Sequence, residues 1–242
     1  MGKRILITGA AGNIGSKLVR GLRERYELVL VDRRKGPGTR VVDLSRWDHS
    51  IREILNGVET VIHLAGNPDE KAQWKDLVND NIHALLNVWH GAVMAGVRSF
   101  VFASSCHTMG GYWNEENPSL ITTDMAPRPD SDYGASKVVG EEICRNFSLR
   151  HGISSICLRI GWVPRDGRAP GRGASMWLRS LWLGEKDLLG IMTCAIEAED
   201  VGFGIFYAVS GNCPGLWDLS GAERMLGFRP VQGSDPECFL IN

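Results

Sequence analysis

The chain has 242 residues, with 27 Lys and Arg against 28 Asp and Glu and a formal net charge of −1 at pH 7, so no basic excess follows a phosphate backbone and nucleic acid is not an expected partner. Apolar residues make up 43% and charged residues 23%, the balance of a globular chain that buries one large core. No apolar run approaches the roughly 18 residues of a membrane span, so no membrane association is expected. The N-terminus enters a strand with no secretory signal, which predicts a cytoplasmic protein.

Ile5, Leu6 and Ile7 read as a buried parallel strand, followed by Gly9, Gly12 and Gly15 and a helical pattern over residues 13–25. Glycines three apart between strand and helix allow a tight turn, close backbone approach and tight packing. Together these place a dinucleotide's phosphates at the helix N-terminus, beside Asn13 and Ile14. A second apolar run, residues 28–31, ends at Asp32, 23 residues after Gly9, the position from which a carboxylate meets ribose hydroxyls. That carboxylate repels a 2′-phosphate, so NAD is the expected cofactor, although Arg33 and Arg34 follow directly.

A loop rich in Gly, Pro and basic residues (33–39) then leads to a short strand at 40–42 ending at Asp43 and Leu44. An amphipathic helix at 47–55, a strand at 59–64 running into Ala65 and Gly66, a helix at 70–95 and a strand at 99–103 follow. Strands alternating with helices predict an α/β fold: a Rossmann-type, doubly wound parallel sheet with helices on both faces. Residues 104–130 form a long loop containing Gly110, Gly111, Pro118, Pro127 and Pro129, then come a helix at 131–151, a strand at 154–160 and a second irregular segment at 161–173. Both loops leave carboxyl ends of strands, where open α/β sheets bind ligands. The expected division is a dinucleotide-binding core at 1–160 and a small substrate or lid region at 161–242 within one compact unit. Trp162, Trp177, Trp182 and Trp217 either line that lid or fill the gap between the sheet and the C-terminal helices.

Chemistry concentrates at Tyr133-Gly-Ala-Ser-Lys137, where tyrosine and lysine four apart share one helix face. The ammonium is expected to lower the phenol from its usual value of about 10, so that tyrosinate takes a proton from a substrate hydroxyl. Ser105, at a strand end, is the candidate to hold that hydroxyl, with adjacent Ser104 as the alternative. Six cysteines, Cys238 among them, include no Cys-x-x-Cys pair and six histidines show no ligand spacing, so reduced structural thiols and no metal are expected.

With Thr8-Gly-Ala-Ala-Gly-Asn-Ile-Gly15, Asp43-Leu44, His63-Leu-Ala-Gly66, Asn81, Phe102-Ala-Ser-Ser105, Tyr133 to Lys137 and Arg159-Ile-Gly161 in order, the chain resembles the extended short-chain dehydrogenase/reductase superfamily, which includes NAD-dependent epimerases and dehydratases. The resemblance implies that Asp32 binds the adenosine ribose and that Asp43 and Leu44 lie by the adenine. Leu64, Ala65, Gly66, Asn81, Ala103 and Ile160 would line the cofactor, and Lys137 would hold the nicotinamide ribose. Residues 102–112 and 128–137 are similar to the uronate dehydrogenases, with NAD-dependent glucose-6-phosphate dehydrogenases as a sister group. Both oxidise a ring hemiacetal. The implied activity is NAD-dependent oxidation of the anomeric carbon of a hexuronic acid such as glucuronate or galacturonate to a lactone. The alternatives are oxidation of a sugar phosphate, and a sugar epimerase or dehydratase. Tyr133, Lys137 and Ser105 would be catalytic; Cys106, His107 and Arg172 would join Ser105 and Tyr133 at the sugar. His107 stands equally as a structural loop residue. Cys106 replaces the asparagine of the uronate dehydrogenases, and extra residues near Trp177 leave Arg172 and Arg179 as alternative anion ligands. The expected partner is a small sugar, in a homo-oligomer.

Overall fold

Apolar strands alternating with helices build one seven-stranded sheet of order β3-β2-β1-β4-β5-β6-β7, in a computed structural model that describes residues 2–113 and 119–235. Pro118 and Cys238 lie outside the described residues. The strands are β1 (Arg4–Thr8), β2 (Glu27–Asp32), β3 (Thr39–Val41), β4 (Thr60–His63), β5 (Ser99–Ser105), β6 (Ser154–Ile160) and β7 (Phe203–Ala208), and every pairing is parallel. The helices are α1 (Asn13–Leu22), α2 (His49–Ile54), α3 (Trp74–Leu77), α4 (Ala84–Ala95), α5 (Asp132–His151), α6 (Met176–Leu181), α7 (Glu185–Glu197) and α8 (Ser220–Leu226).

Parallel strands must be covered on both faces, and the side-chain alternation of β1 shows how this is done. Ile5 and Ile7 enter one core with Leu18 and Leu22 of α1, Leu188 and Ile191 of α7 and Leu226 of α8. Leu6 enters the other, with Ile51 of α2, Trp89 of α4 and Phe147 of α5. Truncating one such side chain to alanine typically costs about 2–5 kcal/mol. The chain passes from β1 outward through β2 and β3, then returns to place β4 on the other side of β1. That reversal opens a crevice at the carboxyl ends of β1 and β4.

The helix expected over 70–95 begins at Trp74 and contains a π-helical turn, Val78–His83, before α4 continues it. In that turn buried Asn81 accepts from Asn67 N at 2.7 Å and donates to Ser136 Oγ at 2.9 Å, fixing the chain after β4 against α5. Helix α5 starts under a Ser131 cap, whose Oγ accepts from Gly134 N at 3.1 Å, and stops at Gly152, with φ of +68°. Strand β7 adds to the six strands the sequence predicts; Gly204 interrupts its apolar run and weakens its strand signal. It comes from the expected lid region, yet it pairs with β6, and α7 and α8 of that region pack on the core. A third, smaller cluster roofs the sheet: Cys106, Met109, Ile121, Trp177, Leu181, Tyr207, Val209, Leu216 and Trp217. Trp177 and Trp217 are therefore filling residues. Among the described residues no helix is long and apolar enough to cross a membrane.

Behind the ends of β5 and β6 lies a buried ion pair. Arg159 Nε and Nη2 each donate to Glu141 at 2.9 Å, Ser104 Oγ donates to the same carboxylate at 2.5 Å, and Arg159 reaches the Tyr207 hydroxyl at 3.5 Å. Both ions are at most 2% exposed, so removing one charge strands the other. Glu141→Gln should cost about 3–5 kcal/mol, whereas Glu141→Leu combined with Arg159→Met should come close to neutral. Urea unfolding of both variants checks this; equal losses would contradict it.

Candidate active site

At the carboxyl ends of β1, β4, β5 and β6 lies a cleft of about 880 Å³. Gly9 has φ of +70°, and a Cβ there would lie 2.9 Å from the backbone of Leu64 and Ala65. A Cβ at Gly15 would run into the Gly9 carbonyl. Gly12 caps α1 without a side-chain hydrogen bond, so the first turn of the helix faces the cleft with its backbone N–H groups. Asp32, 5% exposed, accepts from Ala11 N at 3.0 Å and from Arg34 N at 2.9 Å, which holds its carboxylate against the glycine turn. Arg33 pairs with Asp80 at 2.7 Å and Arg34 Nε approaches Asp32 at 3.4 Å, so both arginines engage carboxylates at this end. Asp43 accepts from Ser45 N and Oγ, and these bonds hold its carboxyl below the usual range. Glycines that admit no side chain, an open helix N-terminus and a fixed acid fit a dinucleotide.

At the other end, Lys137 Nζ donates to Ala103 O at 2.9 Å and lies 5.6 Å from the Tyr133 ring centroid. Burial pushes the Tyr133 phenol up to about 12, opposed by its hydrogen bond with Ser105. Burial also pushes the Lys137 ammonium down to about 8, offset by Cys144 and by the Glu141 charge. The lowering of Tyr133 expected from Lys137 is not found: burial sets the direction, and it is the Ser105 hydrogen bond that opposes it. The two serines separate cleanly: Ser104 Oγ is committed to Glu141, while Ser105 Oγ accepts from His107 N at 3.2 Å and meets Tyr133. His63 is 1% exposed, bonded to Thr8 Oγ1 at 3.0 Å and pushed down to about 3 by burial, with the Lys137 charge adding to the effect. It is a neutral packing residue between the first and fourth strands.

The cleft brings together Gly9, Gly12, Asn13, Ile14, Gly15, Asp32, Asp43, Leu44, Leu64, Ala65, Gly66, Ala103, Ile160, Ser105, Cys106, His107, Tyr133 and Lys137. Two sequence candidates lie elsewhere. Asn81 is buried behind the cleft wall, on Asn67 and Ser136, and Arg172 is exposed in the irregular segment off the lining. Arg179 pairs with Asp235 at 3.2 Å. Arg165 lines the cleft instead, as do Trp162, Asp69 and Glu70. Cys106 is buried, with Sγ donating to Arg159 O at 3.3 Å, and burial pushes its thiol up. The irregular segment is tied to α1: Asn13 Nδ2 donates to Val163 O at 2.8 Å, and buried Lys17 donates to Arg165 O at 3.3 Å and to Glu185 at 3.1 Å. His107 Nδ1 lies 2.8 Å from Asp130 Oδ2 and its Nε2 3.4 Å from Glu70. Neither acid had a sequence signal, because nothing in their spacing from His107 shows that the loops meet.

The chain matches the NAD dependent epimerase/dehydratase family over residues 5–185. It is 32% identical to the L-arabinose 1-dehydrogenase (NAD(P)(+)) of Haloferax volcanii, over 96% of this chain and 97% of that protein. To the NAD-dependent glucose-6-phosphate dehydrogenase of the same organism it is 31% identical, over 97% and 95%. A mutant uronate dehydrogenase from Agrobacterium tumefaciens, solved in complex with NAD, superimposes with a TM-score of 0.83 at 27% identity, over 100% of this chain and 88% of that one.

Gly9→Ala tests the dinucleotide end. Its left-handed backbone alone costs a non-glycine residue about 1–3 kcal/mol, and the added methyl meets backbone that has no room to retreat. NADH titration by fluorescence should show affinity reduced at least about tenfold, equivalent to about 1.4 kcal/mol; unchanged affinity would place the phosphates elsewhere.

Proposed function

The chain belongs to the NAD dependent epimerase/dehydratase family as an NAD-dependent sugar dehydrogenase, and we propose that it oxidises the anomeric carbon of a sugar to the lactone. The observation that carries the reading is the meeting of Ser105, Tyr133 and Lys137 in the cleft that also holds the glycine turn and Asp32. Bound NAD supplies the hydride acceptor. Ser105 orients the anomeric hydroxyl toward Tyr133, and Tyr133 takes its proton as the C1–H bond gives up its electron pair and the C1–O bond becomes a carbonyl. Lys137, held on Ala103 O, keeps a cation beside the phenol and is placed to hold the nicotinamide ribose.

The substrate we propose is a hexuronic acid such as glucuronate or galacturonate. The likeness to uronate dehydrogenase supports it over nearly the whole chain. Of the arginines at 165, 168 and 172, Arg165 lines the cleft and the other two do not. A neutral aldose is the second reading, favoured by Asp69 and Glu70, whose carboxylates line the same cleft.

Hexuronates, neutral aldoses and sugar phosphates assayed with NAD, read as NADH absorbance, should give turnover with a hexuronate. Tyr133→Phe should lower kcat by about 10²–10⁴, the usual contribution of a positioned acid or base, with NADH affinity nearly intact. A variant that keeps most of its turnover would remove Tyr133 as the base, and bound NAD with no net NADH from any sugar would favour an epimerase.

A further inference from the structure

His107 lies between two carboxylates that differ in kind. Asp130, on the chain entering α5, meets Nδ1 through both oxygens at 3.0 and 2.8 Å and accepts from Ser131 Oγ at 2.9 Å. The bond from Asp130 N to His107 O, 3.4 Å, closes this pairing through the backbone. Glu70, on the chain after β4, approaches Nε2 with one oxygen at 3.4 Å and is 57% exposed, against 27% for Asp130. The first pairing is held by geometry and partial burial. The second is an exposed ion pair of the kind that contributes little and exchanges readily.

The imidazole and Tyr133 ring centroids lie 5.7 Å apart with the rings at 74°, which sets His107 beside the group expected to take the substrate's proton. Arg172 and Arg179, the cations the sequence offered for an anion, lie off the cleft lining, and Arg179 is already paired. We propose that His107, oriented by Asp130, is the cation that binds the carboxylate of the hexuronate, and that Glu70 occupies this position until the substrate displaces it. The inference rests on the hexuronate reading above and assigns its anion subsite. His107 is then a specificity-determining residue, Asp130 a positioning residue and Glu70 an internal competitor.

Charge around the ring agrees with this. Burial works against the imidazolium, but the hydrogen bond and charge of Asp130, together with Glu70, raise His107 above its ordinary value. Tyr133 and Lys137 face the site from α5, and the neighbouring Cys106 thiol is turned away onto Arg159 O. A group with a raised pKa keeps its charge below the ordinary imidazole range and loses it as pH climbs through the raised value. Affinity for an anionic sugar should therefore weaken in the same direction.

The test compares galacturonate with galactose, which exchanges the carboxylate for a neutral hydroxymethyl, at saturating NAD. His107→Asn should lower the galacturonate-to-galactose ratio of kcat/KM at least tenfold, and Glu70→Gln should raise it. In the unmodified enzyme, KM for galacturonate should climb with pH while KM for galactose stays flat. Galacturonate turnover with a ratio that neither substitution moves would overturn the assignment of His107 and leave the hexuronate reading standing; an equal fall in turnover of both sugars would do the same, marking His107 as a support for Tyr133. Galactose oxidised without galacturonate would overturn the hexuronate reading itself, and the subsite with it.

Discussion

Backbone meeting backbone at the reversal of the sheet is the constraint on which the rest of the molecule depends. The chain leaving β1 turns so tightly at Gly9 that it rests against Leu64 and Ala65 beyond β4, and Gly15 lets α1 close down on the same turn. The turn is pinned from a third side, where Ala10 N bonds to Val31 O and Ala11 N to the Asp32 carboxylate. Three strand ends and one helix end thus share a single point, where methyl groups are excluded and N–H groups collect. The fit of this turn to a dinucleotide is a property of packing before it is a property of side chains.

The Tyr133 end of the cleft is organised differently, by the cost of burying charge. Tyr133, Lys137 and Glu141 follow one another at intervals of four along α5, so one helix face carries phenol, ammonium and carboxylate in sequence toward the core. Burial shifts the phenol and the ammonium against their charged forms. The deepest charge is neutralised by Arg159 from β6 and takes a hydrogen bond from Ser104. The serine pair at the end of β5 is divided by the same geometry: alternate faces of a strand send one hydroxyl to the structural ion pair and the other to Tyr133.

Local patterns carried most of this into the sequence. The glycine turn, Asp32, the Tyr133 and Lys137 spacing and six of the seven strands follow from contiguous residues, and they are where expected. What local pattern does not contain was invisible. Strand β7 is concealed by Gly204. The π-helical turn that buries Asn81 has the composition of ordinary helix. The partners of His107 come from two other segments, so neither Asp130 nor Glu70 stands out beside it. Arg172 drew attention as a cation in a glycine-rich loop, yet composition does not say which way a loop turns, and Arg165 is the arginine of that segment on the cleft lining.

The same segment is fastened at its start and has room for side chains beyond it. Val163 and Arg165 hang by their carbonyls from Asn13 and Lys17 of α1, and Trp162 forms a β-bridge with Trp182, bonding to Leu181 and Leu183. Beyond these anchors, a Cβ at Gly167, Gly171 or Gly173 would meet nothing within 4 Å. Length and composition there can change without disturbing the first turn of α1. The fold thus sets a stretch of chain that has room for side chains next to one that has none, so that the first can be altered without touching the second.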